Sequence, residues 1–364
     1  MAYAQSVQKA QMILHCQLCE ENSKIQWKCI TCDFLICLKC MKIHEKVKSA
    51  EKHCIISLKD IASYNLNATE TTHSEHKFKV IGQYKTNFPN ISKILCCTDG
   101  SLWIYCLKSQ TCLKLTVTGE SINILRTIYI DASDMALNSN GEIISCSRTP
   151  NLKRIDVSDN VRNSKFCVQP MIPFAVHVTR NDKIVVGVLE HVQPFPIQGH
   201  RKIIQMDKKG KREIFHYLDK ENNKPLFTLP WRISSDIYNN LYVIDKISPD
   251  YRGRVMKLRG TGGVIGLYEG NTDLNTPDKA FKPQDLVVTP SGNVIVTDME
   301  NSLLHVLNDE LKCIRCFNTR SELHISYPAS LSINSYGQLL IGCSTDKQEK
   351  EEAKIYAVEY SAMM

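Results

Sequence analysis

Eight side chains of the kinds that bind zinc fall within residues 16–53. They form three C-x2-C pairs followed by two histidines, with the spacing C-x2-C-x9-C-x2-C-x4-C-x2-C-x3-H-x8-H. In chain order they are Cys16, Cys19, Cys29, Cys32, Cys37, Cys40, His44 and His53. Zn²⁺ favours thiolate and imidazole ligands, and eight of them fill two closed tetrahedral sites. The pattern therefore predicts two structural zinc ions, with no open position for a catalytic water.

A disulfide framework is the main alternative for so many cysteines. It needs an oxidising compartment, and the opening MAYAQSVQKAQMIL lacks the charged-then-apolar order of a signal peptide. The cysteines outside the cluster lie mostly in apolar, strand-like stretches, where free buried thiols are expected. The sequence thus predicts a cytoplasmic protein. Cys313 and Cys316 form a further C-x2-C, but no second ligand pair lies near them, so we assign no metal there.

Few apolar residues separate the ligands. Trp27, Phe34, Leu35 and Ile36 are too few to fold so short a segment unaided. Structural zinc contributes on the order of 10–16 kcal/mol at neutral pH. We therefore expect metal binding and folding of residues 1–60 to be one event.

The composition of the whole chain is that of an ordinary globular protein. Of 364 residues, 43% are hydrophobic and 23% charged, which is enough apolar material for a sizeable core. No apolar run approaches the roughly 18 residues of a membrane span, so no membrane partner is expected. The formal net charge of +7 is modest for this length and does not by itself indicate nucleic-acid binding.

A β-hairpin pattern recurs six times after Lys77. Each copy is an apolar strand, a polar or Gly-containing turn and a second strand of alternating aliphatic residues, which is the signal of a hairpin. The copies span residues 91–106, 133–147, 174–188, 231–245, 283–298 and 328–343. Their turns recur at intervals of roughly 40–55 residues, the period typical of propeller blades.

The repeats predict a mostly β protein with a six-bladed β-propeller over residues 77–364. A zinc finger would occupy residues 1–60, and the polar stretch 61–76 would be a linker. Closing the ring removes its open edge, and residues 77–84 are well placed to pair beside residues 354–360. A linear solenoid is disfavoured because its repeats are usually shorter.

The zinc-ligand pattern resembles the B-box finger of tripartite-motif proteins. In that family the ligands interleave, which implies that Cys16, Cys19, Cys37 and Cys40 hold one ion, and that Cys29, Cys32, His44 and His53 hold the other. Many B-boxes carry Asp at the position of Cys32. The spacing alone also allows a sequential arrangement, in which the first four ligands bind one ion and the last four the other.

The fifth repeat, residues 281–308, resembles an NHL repeat in its Pro and Asp before the first strand, its turn Gly, and Asp298 and Asn301. A B-box followed by an NHL-like ring is similar to the tripartite-motif NHL subfamily. The expected form lacks a RING finger and a coiled coil, because residues 1–15 contain no cysteine and residues 54–77 show no sustained heptads. Direct ubiquitin-ligase activity is therefore not expected.

The resemblance implies a non-enzymatic adaptor that binds protein partners through a propeller face. The finger would add a second contact or a self-association surface. Three alternatives remain: substrate recognition for a separate RING protein in a ubiquitin-ligase pathway, RNA-binding regulation, and a calcium-dependent lactonase. RNA binding would use the basic clusters, namely Lys208, Lys209, Lys211 and Arg212, and Arg252, Arg254, Lys257 and Arg259.

No motif of a known catalytic class is present in the sequence, neither a nucleophile elbow nor a P-loop, HExxH or dinucleotide fingerprint. The lactonase alternative would place acids in a central channel. Its candidates are Asp236, Asp245, Asp285 and Asp298, and each follows or begins a predicted strand. We interpret them as turn-capping residues, because a calcium site needs six or more converging oxygens.

Overall fold

The chain divides into two compact units, residues 1–75 and residues 76–364. The computed structural model describes residues 16, 19, 25–29, 34–44, 55–58, 77–191, 193–216, 225–260, 263–345 and 352–361. The predicted linker, 61–76, lies outside the described residues. Within the described part of the chain, no helix has the length and apolarity needed to cross a membrane.

Unit 1 contains a three-stranded antiparallel sheet and a short helix. Its elements are β1 (Ile25–Cys29), β2 (Phe34–Cys37), α1 (Leu38–His44) and β3 (Ile55–Ser57). The strand order is β2-β1-β3. Among the described residues of this unit, the buried side chains are mostly sulfur-bearing, and Ile36 is a fully buried aliphatic residue. The apolar core that these residues form is small, which is weak support for a fold.

Unit 2 contains six four-stranded antiparallel sheets. Blade 1 holds β5 (Lys93–Cys96), β6 (Leu102–Cys106), β7 (Thr111–Thr118) and β8 (Ser121–Tyr129). Blade 2 holds β9 (Asp134–Leu137), β10 (Ile143–Cys146), β11 (Asn151–Ile155) and β12 (Val161–Cys167). Blade 3 holds β13 (Ile172–Val178), β14 (Ile184–Leu189), β15 (Arg201–Met206) and β16 (Arg212–His216).

The remaining blades follow the same order. Blade 4 holds β17 (Pro230–Ser235), β18 (Leu241–Lys246), β19 (Gly253–Leu258) and β20 (Val264–Tyr268). Blade 5 holds β21 (Pro283–Val288), β22 (Val294–Asp298), β23 (Leu303–Leu307) and β24 (Cys313–Asn318). Blade 6 holds β25 (Pro328–Ile333), β26 (Leu339–Cys343), β27 (Lys354–Ser361) and, from the start of the unit, β4 (Lys77–Lys85). A 3-10 turn (Pro277–Lys279) and α2 (Thr319–Leu323) lie in connections.

The six-bladed propeller is confirmed, and so is its closure. Strand β4 pairs antiparallel with β27 as the outer strand of blade 6, with Tyr84 opposite Ile355 and Phe78 opposite Tyr360. The two ends of unit 2 therefore share one sheet, and β27 has no open edge along this pairing.

Apolar packing between blades holds the ring together. Each of six buried clusters joins one blade to its neighbour, and one of them joins blade 6 to blade 1 through Ile355, Leu113 and Leu115. The second strand of every blade is buried along its length, as in Leu102–Cys106 and Val294–Asp298. A single blade cannot bury both faces, so the blades stabilise one another.

The inner hairpins share one turn geometry. At each turn one residue has positive φ, namely Gly100, Gly141, Asp182, Asn239, Gly292 and Gly337. Glycine adopts this conformation without steric penalty, and Asn and Asp tolerate it better than other residues do. The recurrence of these residue types at equivalent positions explains why the sequence reveals the hairpins.

Candidate metal centre and propeller channel

Four cysteine sulfurs converge in unit 1. Cys37 ends β2 and Cys40 lies in the first turn of α1, so the strand-to-helix junction turns both thiols to the same side. Together with Cys16 and Cys19, their sulfurs all lie within 4.8 Å of one another. The Sγ atoms of Cys19 and Cys37 are 4.0 Å apart. Sulfurs bound to one tetrahedral zinc at about 2.3 Å stand at similar mutual distances.

The spacing left open which pairs share an ion. In the structure Cys37 and Cys40, rather than Cys29, join Cys16 and Cys19. Among the described residues, these four form the one group of three or more Cys, His, Asp or Glu side chains with such convergence. The centre could hold one metal ion.

Burial and polarity at this centre favour a cation. The backbone N–H of Cys37 donates to Sγ of Cys16 at 3.4 Å, a contact that stabilises a thiolate. Without a metal, the pKa of the Cys40 thiol lies above its ordinary value, because burial penalises the thiolate and the other thiols crowd it. A bound dication removes this penalty, since metal ligation deprotonates cysteine.

The other predicted ligand set is described only in part. Cys29 ends β1 and His44 ends α1, and both are buried. Cys32 and His53 lie outside the described residues, so that set remains a prediction.

Four charged side chains meet in the channel of unit 2. Lys93 of blade 1 lies 3.2 Å from Asp134 of blade 2 and 4.0 Å from Asp285 of blade 5. Arg232 of blade 4 lies 3.8 and 3.9 Å from the same two carboxylates. The two acids lie three blades apart, and so do the two cations. Opposite charges therefore alternate around the channel. In this channel network Asp134, Asp285 and Arg232 are buried and Lys93 is partly exposed, and the four formal charges sum to zero.

The carboxylates of this network also accept hydrogen bonds from backbone N–H groups. Asp134 accepts N–H bonds from Met135 at 2.9 Å and from Val176, in the next blade, at 3.1 Å. Asp285 does the same with Leu286 at 3.0 Å and Leu331 at 2.9 Å. Because their oxygens already face cations and N–H donors, these acids link blades and do not form a preformed calcium site.

A cavity of about 510 Å³ lies against the channel network, where the inner strands begin. Lys93, Asp134 and Arg232 contribute to its wall together with Phe174 and Trp231. Nε1 of Trp231 is buried and has no hydrogen-bond partner among the described residues, whereas Nε of Arg232 faces the carboxylates of Asp134 and Asp285 at 3.8 and 3.9 Å. Buried donors normally have a partner. Trp231 therefore supplies one donor beside the cavity that lacks an acceptor.

A Ser–His pair in the channel was not singled out from the sequence. Nε2 of His177, on β13, lies 2.8 Å from Oγ of Ser235, on β17. Burial, with a smaller contribution from the charge of Lys93, lowers the pKa of His177 to about 4, against the opposing effect of Asp134. The imidazole is therefore neutral and a weak base. No carboxylate among the described residues hydrogen-bonds to its other nitrogen, so the pair lacks the third group that orients a catalytic histidine.

The four candidate acids have different roles. Asp236 caps its turn as interpreted, accepting N–H bonds from Tyr238 and Asn240. Asp245 instead accepts from the backbone of Thr228 and Leu229, upstream of its own blade's first strand.

The turn-capping interpretation of Asp298 was also incomplete. The Nδ2 groups of Asn275 and Asn301 donate to its Oδ2 at 3.0 and 2.8 Å, and Asn301 also reaches the carbonyl of Ala280. Asp298 is fully buried and ties the 271–280 connection to blade 5. Together with the channel role of Asp285, this leaves Asp236 as the one simple turn cap of the four.

Half of the eight basic side chains predicted for RNA binding, namely Lys208, Arg212, Arg254 and Lys257, bond to other groups of unit 2. Arg254 pairs with Asp245 at 3.0 Å, and Lys257 donates to the carbonyl of Asp309 at 2.8 Å. Lys208 pairs with Asp182 at 3.0 Å, and Arg212 donates to the carbonyls of Cys167 and Gln169.

Solved structures similar to the chain are propellers of several activities. A streptogramin B lyase matches with a TM-score of 0.52 and 13% identity over 80% of this chain and 100% of that one. A gluconolactonase from Xanthomonas campestris matches with a TM-score of 0.56 and 10% identity, over 79% of this chain and 90% of that one. A PQQ-bound aldose sugar dehydrogenase from Streptomyces coelicolor matches with a TM-score of 0.52 and 11% identity, over 79% of this chain and 100% of that one.

At such identities the similarity shows the fold alone. No protein-family model and no curated protein matches the sequence.

Proposed function

We propose that this protein is a non-enzymatic recognition adaptor of the tripartite-motif type, with a two-zinc B-box finger and a propeller that binds a protein partner. The convergence of Cys16, Cys19, Cys37 and Cys40 supports one zinc ion. The spacing of Cys29, Cys32, His44 and His53 supports the second. Both ions would be structural, because four protein ligands leave a zinc ion no open position.

The cavity beside the channel network carries the binding proposal. It combines aromatic side chains with a buried donor that lacks an acceptor among the described residues, the mixture typical of a site that takes one anchoring side chain of a partner. The anchor would present a carboxylate or carbonyl oxygen to Trp231. Arg148 and Asp131 at the wall would contact the surrounding polar residues of the partner.

The geometry supports binding better than catalysis. The channel acids are engaged by cations and backbone N–H groups, and the pKa of His177 is too low for a base at neutral pH. A lactonase, as in the similar gluconolactonase, is the alternative enzyme. A lactonase of that kind predicts that calcium raises the melting temperature of the ring. Our proposal predicts that calcium leaves the melting temperature unchanged.

The family resemblance extends the proposal to the cytoplasm and to ubiquitin-ligase pathways, where the ring would select substrates for a separate RING protein. A tethered finger and ring would then engage one assembly with increased effective concentration. We do not extend the proposal to RNA, because ion pairs and carbonyls occupy many of the basic side chains.

A site-specific crosslinking experiment tests the binding face. A photoreactive amino acid replaces Gln284, at the cavity wall, in the full-length protein, and a control protein carries it at the exposed Ile124 on β8. After irradiation in cytosolic extract, we expect adducts with defined proteins at position 284 that are absent at 124. Trp231→Ala should abolish them. Identical adducts at both positions, or adducts that ribonuclease removes, would contradict the proposal.

A further inference from the structure

A second sulfur-containing cluster lies in unit 2, where β24 faces β20. It contains Cys313 and Cys316 of β24, His305 of β23 and Tyr268 of β20. The two Sγ atoms are 3.5 Å apart. Both cysteines are partly exposed, and β24 is the outer strand of blade 5, so small molecules can reach them.

A β-bulge places the two thiols together. His305 lies opposite Cys316 and Leu307 opposite Cys313, while Val306 lies opposite Arg315. Ile314 is therefore the extra residue. Residues three apart on a regular strand point to opposite faces. The inserted residue reverses that alternation and turns Cys313 and Cys316 to one side.

Hydrogen bonding makes the two thiols unequal. Asn271 donates to the Cys313 sulfur at 3.8 Å, and the two thiols are hydrogen-bonded to each other. The hydrogen bond with Cys316 lowers the pKa of Cys313, against the opposing effect of burial. The same hydrogen bond raises the pKa of Cys316. Cys313 is therefore the more acidic of the two thiols and the one that we expect to act as the nucleophile.

A base for Cys316 is in place. Nδ1 of the buried His305 lies 3.2 Å from its sulfur and 2.8 Å from the Tyr268 hydroxyl. Nε2 of His305 lies 3.7 Å from Oδ2 of Asp298. A carboxylate on the far side of the ring stabilises the imidazolium that forms when Nδ1 accepts a proton.

We propose that Cys313 and Cys316 form a thiol–disulfide exchange site that reacts with low-molecular-weight disulfides. The Cys313 thiolate attacks one sulfur of the disulfide RSSR, so that a Cys313–SR bond forms and RS⁻ leaves. His305 then takes the proton of Cys316, whose thiolate attacks the Cys313 sulfur and expels a second RS⁻. The dithiol is oxidised by two electrons to the Cys313–Cys316 disulfide, and RSSR is reduced to two thiols.

A metal site is the competing use of the same residues. The ligand atoms of Cys313, Cys316 and His305 do not all come within 4.8 Å of one another, unlike the four sulfurs of unit 1. An exchange reaction needs only the two sulfurs to move from 3.5 Å to bonding distance, about 2.05 Å.

Oxidised glutathione is the probe for the test. The zinc-loaded full-length protein is treated with it, quenched by alkylation and digested with trypsin. Trypsin cuts after Lys312 and Arg315, so the internal disulfide joins the peptides CIR and CFNTR. We expect this linked pair, and in Cys316→Ser we expect glutathione trapped on Cys313. In Cys313→Ser, Cys316 should stay unmodified.

Alkylation kinetics give the second readout. Without oxidant, Cys313 should react about tenfold faster than Cys316 at pH 7, and its reactivity should rise at lower pH than that of Cys316, with the fully buried Cys112 as an unreactive control. His305→Gln should leave the first step unchanged and make the mixed disulfide accumulate.

Equal reactivity of the two thiols would overturn the proposal. So would the absence of trapped glutathione in a Cys316→Ser protein that melts as the wild type does, or a zinc ion bound at these residues.

Discussion

The two units of this chain are stabilised by different physical means. Among the described residues of unit 1, the buried side chains are mostly sulfur-bearing, with Ile36 as a fully buried aliphatic residue. In unit 2 six apolar clusters join the blades pairwise around a closed ring. The difference indicates that unit 1 depends on a ligand for its fold, whereas unit 2 depends on ring closure. It also predicts that each unit fails under a different perturbation.

The largest effect is expected when one zinc ligand is removed. Cys37→Ser should leave an incomplete site and forfeit much of the zinc contribution, on the order of 10 kcal/mol. Native mass spectrometry should count one zinc ion instead of two, and hydrogen exchange should lose protection in 25–44 but not in 77–361. Cys167→Ser, which alters a partly buried cysteine of the ring, is the control and should keep both ions.

The next effect concerns the channel network. Asp285→Asn leaves Lys93 and Arg232 with one buried carboxylate between them, which should cost about 3–5 kcal/mol of unfolding free energy. Asp236→Asn is a matched control, because Asn supports the same exposed turn, and it should cost under about 1 kcal/mol. Urea unfolding of the ring measures both. Similar values for the two variants would show that the network is not important for stability.

A core truncation at the closure of the ring tests the apolar side of the comparison. Ile355 is fully buried between blades 6 and 1, so Ile355→Ala should cost about 2–5 kcal/mol. Ile124, on the outer strand of blade 1, is half exposed, and Ile124→Ala should change stability by less than about 0.5 kcal/mol. Native mass spectrometry should count the same number of zinc ions in both variants. This result would show that the loss of stability is confined to the ring.

The smallest effect is a pH dependence from His177. Its pKa of about 4 in the folded ring lies below its ordinary value of 6.5, because burial disfavours the imidazolium. As the pH falls from 6.5 to 4, the unfolded state binds the proton first, so stability decreases by about 3 kcal/mol at most. Above pH 6.5 this group contributes no pH dependence. His177→Gln should flatten this part of the stability curve, and an unchanged curve would count against the assigned pKa.

The two C-x2-C pairs show what the sequence could and could not reveal. Cys37 and Cys40 were assigned as ligands because another pair, Cys16 and Cys19, precedes them at zinc-finger spacing. Cys313 and Cys316 had no such partner in sequence. Their partners, His305 and Tyr268, are brought beside them by strand pairing and by the bulge at Ile314, which spacing alone does not show.

The four residues of the channel network follow a pattern in the sequence. Lys93, Asp134, Arg232 and Asp285 each stand the same number of residues before the positive-φ turn residue of their repeat. Aligning the repeats on that turn would have placed these charges in one layer of the channel. The hairpins and the closing strand were predictable because they depend on local turn chemistry and on one open edge.

Scanning calorimetry of the full-length protein, with and without a strong zinc chelator, tests the central claim most directly. We expect two transitions in the untreated protein. The chelator should abolish the transition of residues 1–75 and leave the transition of the ring within a degree or so, with or without added calcium. A chelator that lowers the ring transition, or leaves both transitions in place, would contradict the account.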